Sequence, residues 1–88
     1  DLGKIMIGQN VSEILQADLK LENGALPILR EAVAHCEKVA DYVSRELFEA
    51  ILESEEHHVA WIETQIEQIQ LMGLQNYIQL QSEPSEES

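Results

Sequence analysis

Residues 42–73 read YVSRELFEAILESEEHHVAWIETQIEQIQLMG, and this stretch decides the fold. It holds no glycine or proline before Gly73 and is rich in Glu, Leu, Ile and Ala, a composition that favours helix. Asp41, just ahead of it, can accept from the orphan amides of a helix start, and Gly73 can supply a left-handed stop. The expectation is a helix over 41–72 with Asp41 as its cap. At 100° per residue, Val43, Leu47, Ala50, Ile51, Trp61, Ile62, Ile66, Ile69 and Met72 form one apolar arc. Glu55 and His58 fall inside that arc, whereas Glu56 and Glu63 point away from it.

Working outward, Asn10 followed by Glu13 is a capping-box pattern, which predicts a second helix over 11–39. Gly24 and Pro27 lie inside it, and a proline removes one backbone hydrogen bond, so a bend is expected near Asn23. Its apolar arc comprises Val11, Ile14, Leu15, Leu21, Ala25, Leu29, Ala32, Val33 and Cys36, with Asp18 and Glu22 near the middle. Residues 1–10, with two glycines and no helical period, read as an extended arm. Leu74–Leu80 predicts a short helix, and 82–88, SEPSEES, a disordered acidic tail. Strand content should be near zero. Helices of 29 and 31 residues would each run about 45 Å, and the residue or two around Ala40 forces them into an antiparallel hairpin. A hairpin this long leaves wide apolar faces that only further helices can cover. The fold class is therefore all-α, a four-helix bundle to which this chain contributes two long helices and a short third.

Composition narrows the function. Among 88 residues, 17 are Asp or Glu and 5 are Lys or Arg, a net charge of −12. Such a surface repels phosphate backbones and anionic lipid, which argues against nucleic acid and membranes as partners and suits cations. The single cysteine, Cys36, excludes an internal disulfide and points to a reducing cytoplasm. The first residue is Asp1, which suggests a chain that begins part-way through something larger or has been processed.

An ionised carboxylate facing a core costs several kcal/mol, about 3–5 when its partner is missing, unless it is paired or bound to metal. Asp18, Glu22 and Glu55 all face inward, with few Lys or Arg to pair them. Glu55 and His58, spaced Glu-x-x-His, share one helix face within reach of one ion. Mixed oxygen and imidazole donors suit iron, manganese or zinc better than calcium. The metal ligands expected are Glu22, Glu55 and His58. Asp18 could hold a hydrogen bond behind the ligands or line a channel, or it could simply be partly exposed. His35 and His57 read as surface residues, His57 with an alternative role behind the ligands. Cys36 reads as a small core residue, and Met6 and Met72 as packing side chains. Nothing resembles a nucleophile triad, a phosphate loop or a zinc ribbon.

LENGALPILREAV (21–33), DYVSRELFEAILESEEHHVAWIETQ (41–65) and MGLQNYIQLQ (72–81) resemble the C-terminal part of a bacterioferritin subunit. The resemblance spans Asp1 to Gln81. It implies that the long helices are the third and fourth of the subunit, that a short fifth follows Gly73, and that 1–10 ends the long crossover. It further implies that Glu22 and His58 are terminal ligands of one iron and that Glu55 bridges two. The first two helices of the family, with the remaining ligands of the di-iron centre and the haem-ligating methionine, have no counterpart here. By resemblance, then, the function is ferroxidase activity, oxidising Fe²⁺ with O₂ or H₂O₂, and iron storage in a hollow homo-oligomeric shell of about 24 subunits. Haem b would be ligated by the N-terminal half of the subunit, expected on a second polypeptide. Two other readings remain: a hairpin that dimerises into a symmetric di-iron site, and a metal-free helical interaction module.

Overall fold

The computed structural model describes the backbone of residues 2–82 and the side chains of residues 10–82. Three helices follow one another, α1 (Leu2–Lys38), α2 (Tyr42–Met72) and α3 (Leu74–Ser82), and no strand occurs among the described residues. The architecture is all-α: α1 and α2 form an antiparallel hairpin and α3 is a short C-terminal addition. The long axis of 54 Å matches the 37 residues of α1 at a rise of about 1.5 Å each. No described helix is long and apolar enough to cross a membrane.

Three boundaries differ from expectation. α1 starts at Leu2, not at Val11, so the Asn10–Glu13 pair lies within a helix and the arm expected over 1–10 is helical from Leu2. Gly3 and Gly8 each weaken a helix by about 1 kcal/mol relative to alanine, which lowers its stability without terminating it. α1 is also continuous through Gly24 and Pro27 and ends at Lys38, one residue early. α3 runs to Ser82, two residues beyond Leu80. The rest of the acidic tail, 83–88, lies outside the described residues.

The turn is specified locally. The Ala40 N–H donates to Glu37 O (3.2 Å) and the Asp41 N–H to Cys36 O (2.8 Å), the paired bonds of a Schellman ending, and Ala40 takes the left-handed position with φ 61°. Asp41 then caps α2, its carboxylate accepting from the Ser44 N–H at 3.1 Å. The hydrogen bonds from Ser44 hold the Asp41 carboxyl below the usual carboxylate range. One residue thus closes one helix and opens the next.

The helices meet along a narrow seam. On α1, Val11, Leu15, Leu19, Glu22, Leu26, Leu29, Val33 and Cys36 recur at alternating intervals of about four and three residues, and all are buried or half-buried. On α2 the same alternation runs through Phe48, Leu52, Glu55, Val59, Ile62, Ile66 and Ile69, again with none exposed. This is the period of two helices crossing at a shallow angle. The arcs expected from sequence were wider. Their outer members Ile14, Leu21, Val43, Leu47 and Trp61 are exposed, Val43 to 83%, because the hairpin offers them nothing to pack against.

Gly73 separates α2 from α3. Its φ of 85° is one that side chains with a Cβ rarely adopt, and its N–H donates to Ile69 O at 2.8 Å. α3 therefore folds back so that Tyr77 joins Leu15, Ile62 and Ile69 in one core cluster, with Val11, Leu19, Ile66, Met72, Leu74 and Ile78 packed around it.

Candidate metal centre

Asp18 and Glu22 are one turn apart on α1, so their side chains share a face. Across the seam on α2 lies His58, whose Nε2 is 3.1 Å from Asp18 Oδ2, within hydrogen-bond distance. One potential ligand atom from each of Asp18, Glu22 and His58 lies within 4.8 Å of the others. A single divalent ion with ligands at about 2.0–2.2 Å holds its donor atoms no more than about 4.4 Å apart, so small side-chain adjustments would let these three share one ion. Trp61, one turn beyond His58, stacks on the imidazole with ring centroids 6.2 Å apart and planes inclined by 6°.

The electrostatics are unbalanced. Glu22 Oε2 is shielded from solvent and has no hydrogen-bond partner. The described arginines are engaged elsewhere: Arg30 lies 3.4 Å from Glu56, while Arg45 bonds Glu37 and places its Nε 3.1 Å from Glu49 Oε1. Among the described residues no ion pair reaches Glu22. A carboxylate oxygen left in this state favours a cation, so the donor set fits iron.

Two of the three ligands expected from sequence, Glu22 and His58, come together. The third, Glu55, occupies the α2 seam one turn before His58 and is half-buried, but it is not one of the three residues that converge. Asp18, expected from sequence to hold a hydrogen bond, line a channel or be partly exposed, is the third converging residue and makes its contact with His58. Helical spacing fixes where a Cβ points, whereas a glutamate's own rotatable bonds decide where its carboxylate ends. His57 is exposed beside Glu53 at 3.8 Å, His35 is exposed, and Cys36 is buried. Met72 is half-buried against the core, and the side chain of Met6 lies outside the described residues.

The centre opens to one side. Side-chain exposure is 43% for His58 and 35% for Asp18. Ile14 and Leu21, about one turn either side of Asp18, and Trp61 beyond His58 are exposed on the same flank. Leu21 also lines a shallow apolar groove of about 540 Å³ with Ala17, Lys20, Gly24, Ala25 and Ile28. A layer of helices laid on this flank would bury the apolar residues and exclude water from the carboxylates together.

Comparison with known proteins identifies the family of the chain. A family model described as a ferritin-like domain matches residues 2–72. The chain is similar to a bacterioferritin of Brucella melitensis, 42% identical over 84 residues that cover 96% of this chain and 52% of the relative. It is 46% identical over 78 residues to a bacterial ferritin of Synechocystis, covering 88% of this chain and 50% of the relative. For a bacterial ferritin of Pseudomonas aeruginosa the identity is 45% over 75 residues, covering 84% and 49%. The chain spans about half the length of the curated relatives it matches.

Proposed function

Because this chain belongs to the ferritin-like family, we propose that it supplies half of the ligands of a di-iron ferroxidase centre in a cytoplasmic iron-storage protein of the bacterioferritin kind. The observation that carries the reading is the buried, unpartnered Glu22 Oε2 beside Asp18 and His58. Glu22 and His58 would hold one iron, and Glu55, half-buried on the seam one turn before His58, would be the further carboxylate ligand this chain offers. Fe²⁺ is the substrate; each ion gives one electron to O₂ or H₂O₂, and the ferric product is stored as mineral inside a closed shell of subunits. Carboxylates stabilise Fe³⁺ more than Fe²⁺, so the donor set itself favours oxidation.

The remaining ligands come from the helices that complete the bundle, and those helices cover Ile14, Leu21, Leu47 and Trp61. Haem, which the bacterioferritin resemblance implies, is ligated outside the described side chains of this chain, since Met72 is packed against the core. The test is stopped-flow Fe²⁺ oxidation by the assembled protein. Glu22→Ala and Glu55→Ala should each slow the rapid phase by at least about tenfold while helicity by circular dichroism is kept, since each removes a ligand and relieves an inward-facing charge. Wild-type oxidation in Glu22→Ala would overturn the ferroxidase reading.

A further inference from the structure

We propose that Asn23 is a site of spontaneous modification, at which the Gly24 backbone nitrogen closes on the Asn23 side chain and converts its amide to aspartate and isoaspartate. The chain has three asparagines, and the residues that follow them are Val11, Gly24 and Tyr77. The reaction brings the next backbone nitrogen against the asparagine Cγ, an approach that a side chain on that residue obstructs and glycine leaves open. The Gly24 nitrogen forms a bond to Cγ, the bond from Cγ to the side-chain nitrogen breaks, ammonia leaves and a five-membered succinimide remains. Water then opens the ring at either carbonyl. The net exchange is one water in and one ammonia out, with nothing oxidised or reduced.

A regular helix opposes this attack, because it engages each peptide nitrogen in a hydrogen bond and holds the backbone dihedrals fixed. α1 loosens that hold at the Asn23–Gly24 peptide. Pro27, inside α1, lies four residues after Asn23, so the Asn23 carbonyl receives no hydrogen bond from position 27 and is crowded by the proline ring. That carbonyl and the attacking nitrogen belong to one peptide plane, so freeing the first frees the second. Gly24 adds the backbone freedom of a glycine within a helix. Asn23 and Gly24 are both exposed, and a Cβ built on Gly24 would meet nothing within 4 Å. At 100° per residue Asn23 lies about 140° around α1 from Asp18, on an exposed polar face with Gln16, Lys20 and Arg30. Helices laid on the apolar flank therefore leave it open to water. Asn76 is the contrast: its side-chain nitrogen donates to Met72 O at 2.9 Å, and the next residue, Tyr77, is fixed in the core.

The two products differ in consequence. Aspartate keeps the backbone and adds one negative charge to an already acidic chain. Isoaspartate runs the main chain through the side chain and inserts one extra carbon into α1, beside Glu22. The helix then cannot keep one register with α2 on both sides of position 23.

The test incubates the assembled protein in mildly alkaline buffer and follows each asparagine by peptide mass spectrometry with fragmentation that separates aspartate from isoaspartate. The Asn23 peptide should gain the mass of an amide-to-acid exchange, with isoaspartate among the products, while the Asn10 and Asn76 peptides stay unchanged. Pro27→Ala and Gly24→Ala both favour helix, and each should slow the conversion by about tenfold or more. An Asn23 that persists in the folded protein but converts once urea has unfolded it would show that α1 protects the bond, and the proposal would fall. It would fall equally if Asn10 or Asn76 converted as fast, if Pro27→Ala converted at the wild-type rate, or if aspartate formed without isoaspartate. Calorimetric titration with Co²⁺, standing in for Fe²⁺, separates this site from the metal reading. Isoaspartate-containing protein should bind Co²⁺ about tenfold or more weakly than fresh protein, because Glu22 adjoins the inserted carbon. Equal binding would overturn the loss of register. Failure of fresh protein to bind Co²⁺ would overturn the metal reading and leave the modification standing.

Discussion

The two ends of the hairpin are held by different physics. At the α3 end, Leu15, Ile62, Ile69 and Tyr77 make an apolar core, and the Tyr77 hydroxyl donates to the buried Gln65 Oε1 at 2.6 Å. At the turn end, Val39, Tyr42, Val43 and Leu47 are exposed, and the fastening is polar and local. There the Arg45 guanidinium bonds Glu37, attracts Glu49 and lies 5.1 Å from the centre of the Tyr42 ring. The hydrogen bond to Glu37, with further attraction from Glu49, raises the Arg45 pKa above its ordinary value. Contacts between exposed charges are screened by water and contribute little, whereas a buried aliphatic side chain contributes about 2–3 kcal/mol. The α3 end therefore carries the stability and the turn end carries the connectivity. The candidate site lies against the stable end: Asp18 is one turn from Leu15, and His58 one turn from Ile62.

The sharpest way to break this comparison is at Ile62, which among the described residues is the one core side chain with 0% exposure. Ile62→Ala should cost about 2–5 kcal/mol in urea unfolding of the assembled protein, the sum of lost burial and a cavity. It should also loosen the cluster beside it, so that Co²⁺ affinity falls along with stability. Unchanged affinity in a destabilised variant would show that the seam fixes Asp18 and His58 without the core. A smaller effect is expected at Tyr77. Tyr77→Phe keeps the ring in the core but leaves Gln65 Oε1 buried without its donor, which should cost about 1–3 kcal/mol. Hydrogen exchange should rise in α3 and stay unchanged at the turn; a rise at the turn would mean that the ends are coupled.

How far the sequence reveals this molecule depends on the kind of interaction involved. Asp41 and Gly73 are legible because a cap and a positive φ are properties of one or two residues. The existence of two long helices is legible from composition and period. The start of α1 is not, because Asn10–Glu13 offers a local cap that the helix does not use. Nor is the seam. Counting 100° steps groups Leu21, Leu47 and Trp61 with the core, because a residue that faces neighbouring helices is as apolar as one that faces its hairpin partner. Leu26, Val59, Gln65 and Tyr77 are also buried: the alternation of three and four residues through Leu26 and Val59 is the signal for two of them, whereas Gln65 is polar and is buried only with the Tyr77 hydroxyl as its partner. In the candidate site, Glu22 and His58 were legible as acids and imidazoles on inward faces. That Asp18 and not Glu55 meets His58 depends on side-chain rotamers, which no spacing rule specifies.

The gentlest probe is at the turn. Ala40 holds φ 61° in the Schellman ending, a conformation that costs a residue with a Cβ about 1–2 kcal/mol and glycine almost nothing. Glycine also loses more freedom on folding, which offsets about 0.4–1 kcal/mol of that gain. Ala40→Gly should therefore stabilise the protein by a net ~0.5–1 kcal/mol, read as a higher urea midpoint with an unchanged slope. Since Ala40 is far along both helices from His58, Co²⁺ affinity should not move. A stabilised turn that also tightened metal binding would show strain passing down the seam, and the division into a connecting end and a stable, site-bearing end would have to be given up.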